Sequence, residues 1–235
     1  MNKTSFTDSN CEYFKVNPTW DVEDSAWKAG KILQLINRNN LKPASIVEVG
    51  CGAGEIINQL HSRLTDKTIE FSGYEIAPDA IALCKDREKD RLHYYLAEFP
   101  TVKKKFDLML MIDVFEHVDD YLGFIKECSE KATYKIYHIP LDISIYSVLI
   151  NNFKYVRTPG GHIHYFTKYT ALRTITDSGY NIVDHFYTCS VTDLYTKNIS
   201  LFSRMLNLMR KFFFKISPDF TAKFFGGYSL LVLAK

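Results

Sequence analysis

The 235-residue chain is 46% hydrophobic and carries 29 basic against 27 acidic residues, a net charge of +2. That length and apolar content suffice for a full core and exclude disorder; the net charge says little about partners, and no nucleic-acid partner is expected because basic residues are not concentrated outside one C-terminal segment. The five cysteines, at 11, 51, 84, 128 and 189, form no C-x-x-C pair and no closely spaced framework, which excludes a stapled secreted scaffold and fits free thiols in a reducing cytoplasm.

The amino-terminal stretch MNKTSFTDSNCEYF has one early lysine and no apolar core behind it, so no signal peptide is expected. No apolar run approaches the roughly 20 residues needed to cross a bilayer. Apolar Ala26, Trp27, Ile32, Leu33, Leu35 and Ile36 recur at helical spacing and predict a leading helix within about 20–41, stopped by Pro43. IVEV (46–49) then reads as a buried strand and EIINQLHSRL (55–64) as the helix after a glycine turn.

The alternation repeats with FSGYEI (71–76) as strand, PDAIALCKDRE (78–88) as helix with proline in its first turn, and RLHYYLAE as strand. FDLMLMIDV (106–114) reads as strand four, YLGFIKECSEKA (121–132) as a helix capped by Asp119 or Asp120, and TYKIYHIP (133–140) as strand five. The pattern turns irregular through GGHIHYFT, resumes as a helix near KYTALRTITDSG and a strand at YNIVDHFY, and closes with the strand YSLLVLAK. A basic, aromatic, helical insertion occupies about 197–225. Strands alternating with helices at this spacing predict one α/β domain over 1–235 with a parallel sheet covered on both faces.

The decisive motif is IVEVGCGAGEII, with glycine at 50, 52 and 54 and Glu55 where a dinucleotide-binding loop would have its third glycine. A loop that opens a helix aims backbone N–H groups and the positive end of the helix dipole at its occupant. Glu48, two residues before the first glycine, suits a cationic amino-acid group better than a pyrophosphate. Glu75, ending the second strand, stands where a carboxylate can accept hydrogen bonds from ribose hydroxyls. Together they favour an adenosine cofactor with an ammonium tail.

On EVGCGAG, YEIAPDAI, LAEFP and IDVFEHVDD the chain resembles the class I S-adenosylmethionine-dependent methyltransferases, over roughly residues 20–187. Within that class it is most similar to small-molecule enzymes of quinone biosynthesis and of bacterial surface-sugar pathways. The resemblance implies a Rossmann-like seven-stranded sheet in the order 3-2-1-4-5-7-6 with the last strand antiparallel. It also implies S-adenosylmethionine as cofactor and methyl transfer to a small-molecule acceptor, most simply an oxygen. Glu48, Gly50, Cys51, Gly52 and Gly54 would pass beneath the methionine part and Glu75 would hold the ribose. Ile76, Ala97, Glu98 and Phe99 would frame the adenine, and Asp113 and Val114 would flank the sulfonium. Trp20 or Lys28, from the leading helix, would roof the site.

Methyl transfer needs alignment and exclusion of water, and an oxygen acceptor also needs a base, for which histidine is suited near neutral pH. His117 follows strand four; His162 and His164 form an H-x-H that, if extended, points both imidazoles to one side. Each is either a catalytic group or an orderer of its loop. The H-x-H pair could take a metal, but no third ligand stands out. Asp113, Glu116, Asp119 and Asp120 read best as helix-start residues, so no obligatory metal is expected.

The segment LFSRMLNLMRKFFFKI (201–216), with Arg204, Arg210, Lys211 and Lys215, is either a packing helix over the cleft or a basic amphipathic helix that meets a membrane surface or a partner. Two other functions stay open at this point: a nicotinamide-dependent oxidoreductase, and a non-catalytic cofactor-binding module.

Overall fold

A computed structural model describes Thr7 and residues 12–157, 161–194 and 200–235. Cys11 and residues 197–199 of the expected insertion lie outside them. Seven strands form one sheet: β1 (Ser45–Val49), β2 (Glu70–Glu75), β3 (Leu92–Leu96), β4 (Phe106–Ile112), β5 (Ala132–Pro140), β6 (Ile182–Thr188) and β7 (Ser229–Ala234). Their order is β3-β2-β1-β4-β5-β7-β6, as the resemblance implies. The pairs from β3 to β5 are parallel, and β7 runs antiparallel to both β5 and β6.

The central strands are apolar on both faces because both faces are covered. Along β4, Leu108, Leu110 and Ile112 enter one core with Ile32, Ile36, Ile57 and Leu60, while Met109 and Met111 enter the opposite core with Phe115, Ile125, Tyr137 and Ile175. This is the two-residue alternation of a strand, read from two sides. The first core is roofed by the Val22–Arg38 helix, whose buried Ser25, Ala29, Ile32, Leu35 and Ile36 recur every three or four residues.

Several boundaries differ from expectation. β4 stops at Ile112, so Asp113 and Val114 belong to the turn beyond it. The helices that begin at Pro78 and Tyr121 end at Cys84 and Glu127, and the chain continues as 3-10 turns, a common way to tighten a last turn. The region after Pro140, expected to be irregular, holds two short helices, Ile145–Leu149 and Phe153–Val156. The first is capped by Ser144, whose hydroxyl accepts from the Ser147 N–H at 3.0 Å.

The insertion holds the Leu201–Ile216 and Pro218–Phe225 helices, and a short Ser190–Asp193 helix precedes it. Arg210 is buried rather than part of a basic face. Its guanidinium donates to the Phe225 carbonyl at 2.8 Å, the Gly226 carbonyl at 2.9 Å and Asn207 Oδ1 at 2.9 Å, so it locks the insertion's own turn. Leu201, Met205, Leu208, Phe212 and Ile216 are exposed along one stripe of the long helix, with Arg204, Lys211 and Lys215 beside it. Among the described residues no helix is long and apolar enough to cross a membrane.

Candidate active site

A cavity of about 510 Å³ opens at the carboxyl ends of β1, β2 and β4, under the start of the Val22–Arg38 helix. Open α/β sheets hold ligands at this edge, where neighbouring crossovers part to opposite faces. Of the expected cofactor residues, Trp20, Lys28, Glu48, Gly50, Cys51, Gly52, Glu75, Ile76, Ala97, Glu98, Phe99, Asp113 and Val114 all line it, and so does His117. Gly54, His162 and His164 are not part of the lining.

The glycines are required by backbone and by space. Gly50 has φ 66°, and a Cβ there would stand 2.8 Å from Val114 Cγ2. Gly54 has φ 74°, and its Cβ would run into the Tyr94 ring, whose hydroxyl donates to the Gly54 carbonyl at 2.8 Å. Gly54 therefore seats the turn on the sheet, while Gly52, with φ 53° and Trp20 as its nearest neighbour, faces the cavity.

Two buried carboxylates stand below this loop. Glu75 accepts from the N–H groups of Gly52 (2.9 Å), Ile76 (2.7 Å) and Ala77 (3.0 Å). Burial raises its pKa, and those three donors pull the other way. Glu48 accepts from the Ile57 N–H at 3.2 Å, and burial pushes its carboxyl up to about 8.

On the far wall Asp113 holds a left-handed backbone, φ 54°, and joins two distant elements. Its carboxylate lies 2.9 Å from Lys28 Nζ and accepts from His138 Nδ1 at 2.6 Å; the other His138 nitrogen meets the Thr188 hydroxyl at 2.8 Å. Burial opposes the charge on Asp113, but His138 and Lys28 outweigh it and hold the carboxyl well below the usual range. Lys28 is also 3.0 Å from Asp24. Burial works against its charge too, yet Asp113 and then Asp24 hold its pKa above the ordinary lysine value. The lysine expected to roof the site is thus engaged with Asp113 and Asp24.

The turn after Asp113 leads into a 3-10 helix, Phe115–His117. Segment 161–164 is not a strand but folds onto that helix, with the Ile163 and His164 N–H groups donating to the Glu116 carbonyl at 2.9 and 3.1 Å. The two H-x-H imidazoles consequently part company. The His164 ring packs at a tilt against Tyr121 and donates through Nε2 to the Val118 carbonyl at 2.9 Å, a loop-ordering role. His162 packs edge-on to His117, ring centroids 5.1 Å apart, with its Nδ1 on Asp142 at 2.7 Å. Burial lowers the His162 pKa, but Asp142 and Glu116 outweigh it and raise the value to about 9.

Among the acidic residues read as helix-start groups, Asp120 is the cap, accepting from the Gly123 N–H at 2.9 Å. Glu116 is instead fully buried, and burial pushes its carboxyl up to about 8. Sequence reasoning missed Asp24, Asp142 and the contact of His138 with Asp113. The last two stand at or just past the carboxyl end of β5, the same edge that supplies the rest of the site.

A family model described as a methyltransferase domain matches residues 25–185. The chain belongs to that family. It is a class I methyltransferase, a class whose methyl donor is S-adenosylmethionine, which sets aside the oxidoreductase reading. It is 29% identical over 92 residues to a ubiquinone biosynthesis O-methyltransferase of Pelagibacter ubique, an alignment that spans 38% of each chain.

Two solved structures share the methyltransferase fold. The magnesium protoporphyrin IX methyltransferase of Synechocystis PCC 6803 with bound SAH matches with a TM-score of 0.60 and 11% identity, over 99% of this chain and 91% of that one. A SAM-dependent methyltransferase of Archaeoglobus fulgidus matches with a TM-score of 0.60 and 19% identity, over 95% and 99% of the two chains.

Proposed function

We propose that the cavity seats S-adenosylmethionine across the glycine loop and transfers its methyl group to an oxygen of a small-molecule biosynthetic intermediate. The observation that carries this reading is the convergence of the Glu75 carboxylate with the loop N–H groups at the cavity floor. Glu75 takes the ribose hydroxyls, Glu48 faces the ammonium, and Ile76, Ala97, Glu98 and Phe99 frame the adenine. Val114 flanks the sulfonium. Lys28 acts by fixing Asp113, and Trp20 covers Gly52.

In the transfer, an acceptor oxygen lone pair forms the new O–C bond as the C–S bond breaks, and that electron pair returns to sulfur. The hydroxyl proton leaves on the acceptor side of the cavity, the part that His117 lines. The partial likeness to an O-methyltransferase of ubiquinone biosynthesis supports an oxygen acceptor. The test is SAH binding followed by thermal shift and calorimetry: Glu75→Ala and Gly50→Val should abolish it, and undiminished binding by both would overturn the assignment. A labelled-methyl screen against small-molecule extracts identifies the acceptor.

The exposed stripe of the Leu201–Ile216 helix supports a second, separate reading: seating on an anionic lipid surface, with Arg204, Lys211 and Lys215 over the headgroups. Vesicles containing phosphatidylglycerol should bind the chain, and Leu208→Glu with Phe212→Glu should release it. Equal binding to neutral vesicles, or none to either, would reject it.

A further inference from the structure

Glu116, His117 and His162 each bring a ligand-type atom into one small region. The three donor atoms, one carboxylate oxygen and two imidazole nitrogens, lie within 4.8 Å of one another. Glu116 is 0% exposed, and neither of its carboxylate oxygens has a hydrogen-bond partner among the described residues. A buried carboxylate that accepts no hydrogen bond is costly to desolvate. A cation bound between the three groups removes that cost.

The surroundings are those of a metal-binding histidine. His162 directs Nδ1 to the Asp142 carboxylate at 2.7 Å, which fixes the ring and leaves Nε2 as the free nitrogen. A carboxylate behind a ligating imidazole orients it and raises its basicity. The backbone supports the same arrangement, because the Glu116 carbonyl accepts from both Ile163 and His164 and so holds the 161–164 segment against the 3-10 helix.

We propose that Glu116, His117 and His162 bind a divalent first-row transition cation at the acceptor edge of the cavity. Two imidazoles and one carboxylate suit zinc, cobalt or manganese better than magnesium or calcium, which prefer all-oxygen shells. Three protein ligands leave coordination positions open, as in catalytic rather than structural sites. His117 lines the cavity, so an open position faces the acceptor. There the cation would ligate the acceptor oxygen and lower its pKa, the proton leaving to solvent, so that activation rests on a Lewis acid rather than on an imidazole base.

The test titrates the metal-stripped full chain with Co²⁺ and follows visible ligand-field absorption. One Co²⁺ per chain should bind saturably, displaced by Zn²⁺, and thermal unfolding should rise with the metal. Glu116→Gln and His162→Gln should each weaken binding at least about 100-fold, and Asp142→Asn about 10- to 100-fold. His61→Ala, a remote surface histidine, should bind as wild type. Asp142→Asn leaves all three donors in place and carries the test if Glu116→Gln does not fold. No saturable binding by wild type, or wild-type affinity in these variants, would overturn the site. SAH binding is measured separately: Co²⁺ binding without SAH binding keeps the metal site and rejects the donor assignment, and the reverse result does the opposite.

Discussion

Replacing Glu48 by glutamine should flatten the pH dependence of stability. Glu48 is 1% exposed and accepts one hydrogen bond, from Ile57, while burial moves its carboxyl from 4.5 to about 8. Between these values the folded chain holds a proton that the unfolded chain has lost. Folding therefore takes up a proton, and stability falls as pH rises: the contribution is fully present below the unfolded value and is lost through pH 8. The slope is roughly 1 kcal/mol per pH unit, or a few kcal/mol across the window. At about 2–4 °C of Tm per kcal/mol for a chain of this size, several degrees should separate the two proteins' pH profiles.

Glutamine keeps the size and the acceptor oxygen but does not titrate in this range. Thermal unfolding from pH 5 to 8 should therefore show the Glu48→Gln variant gaining steadily on wild type. Parallel profiles would refute the argument. The same group should report on the methyl donor. An ammonium beside Glu48 favours its ionised form, so SAH binding near pH 7 should release a proton, seen by calorimetry in two buffers of different ionisation enthalpy. Glu48→Gln should abolish that release, and a release unchanged by the substitution would place the ammonium elsewhere.

Gly54→Ala should lose about 1–2 kcal/mol from its left-handed backbone and about 1–3 kcal/mol more from the Cβ driven into Tyr94 and Cys84, a Tm drop of 5 °C or more. Lys28→Met leaves the part-buried Asp113 carboxylate with His138 alone and should cost about 1–3 kcal/mol in urea unfolding, with much of the loss restored in the Lys28→Met, Asp113→Asn double variant. Asp120→Ala removes the cap of the Tyr121–Glu127 helix and should cost about 1 kcal/mol in the same assay.

What the sequence made legible was whatever is local. The glycine loop, Glu48 and Glu75 are read from a strand, a turn and a helix start, and the alternation of elements fixes which sheet edge they share. Lys28 and Asp113 are 85 positions apart, and no spacing rule says that they meet. The two histidines at 162 and 164 show the opposite failure. An H-x-H presents one side only in an extended strand, and here the segment is pinned to the Glu116 carbonyl by consecutive N–H groups, which turns the two rings apart. Arg210 misled for a third reason: on a helical wheel it belongs with Lys211, but the carbonyls of Phe225 and Gly226 that bury it come from a later turn.

Asp113 explains why the donor and acceptor sides cannot be altered independently. A left-handed aspartate is strained, though less than most residues there, and its ties to Lys28, His138 and the His138 carbonyl hold it in place. The turn it makes carries Val114 toward Gly50, where only glycine leaves room, and then delivers Glu116 and His117 to the 161–164 segment. One backbone conformation thus sets the width of the donor loop and the direction of the Glu116 carboxylate together. A substitution that relaxes residue 113 should disturb SAH binding and Co²⁺ binding in the same protein, whereas changes at Glu75 or Asp142 should disturb one and spare the other.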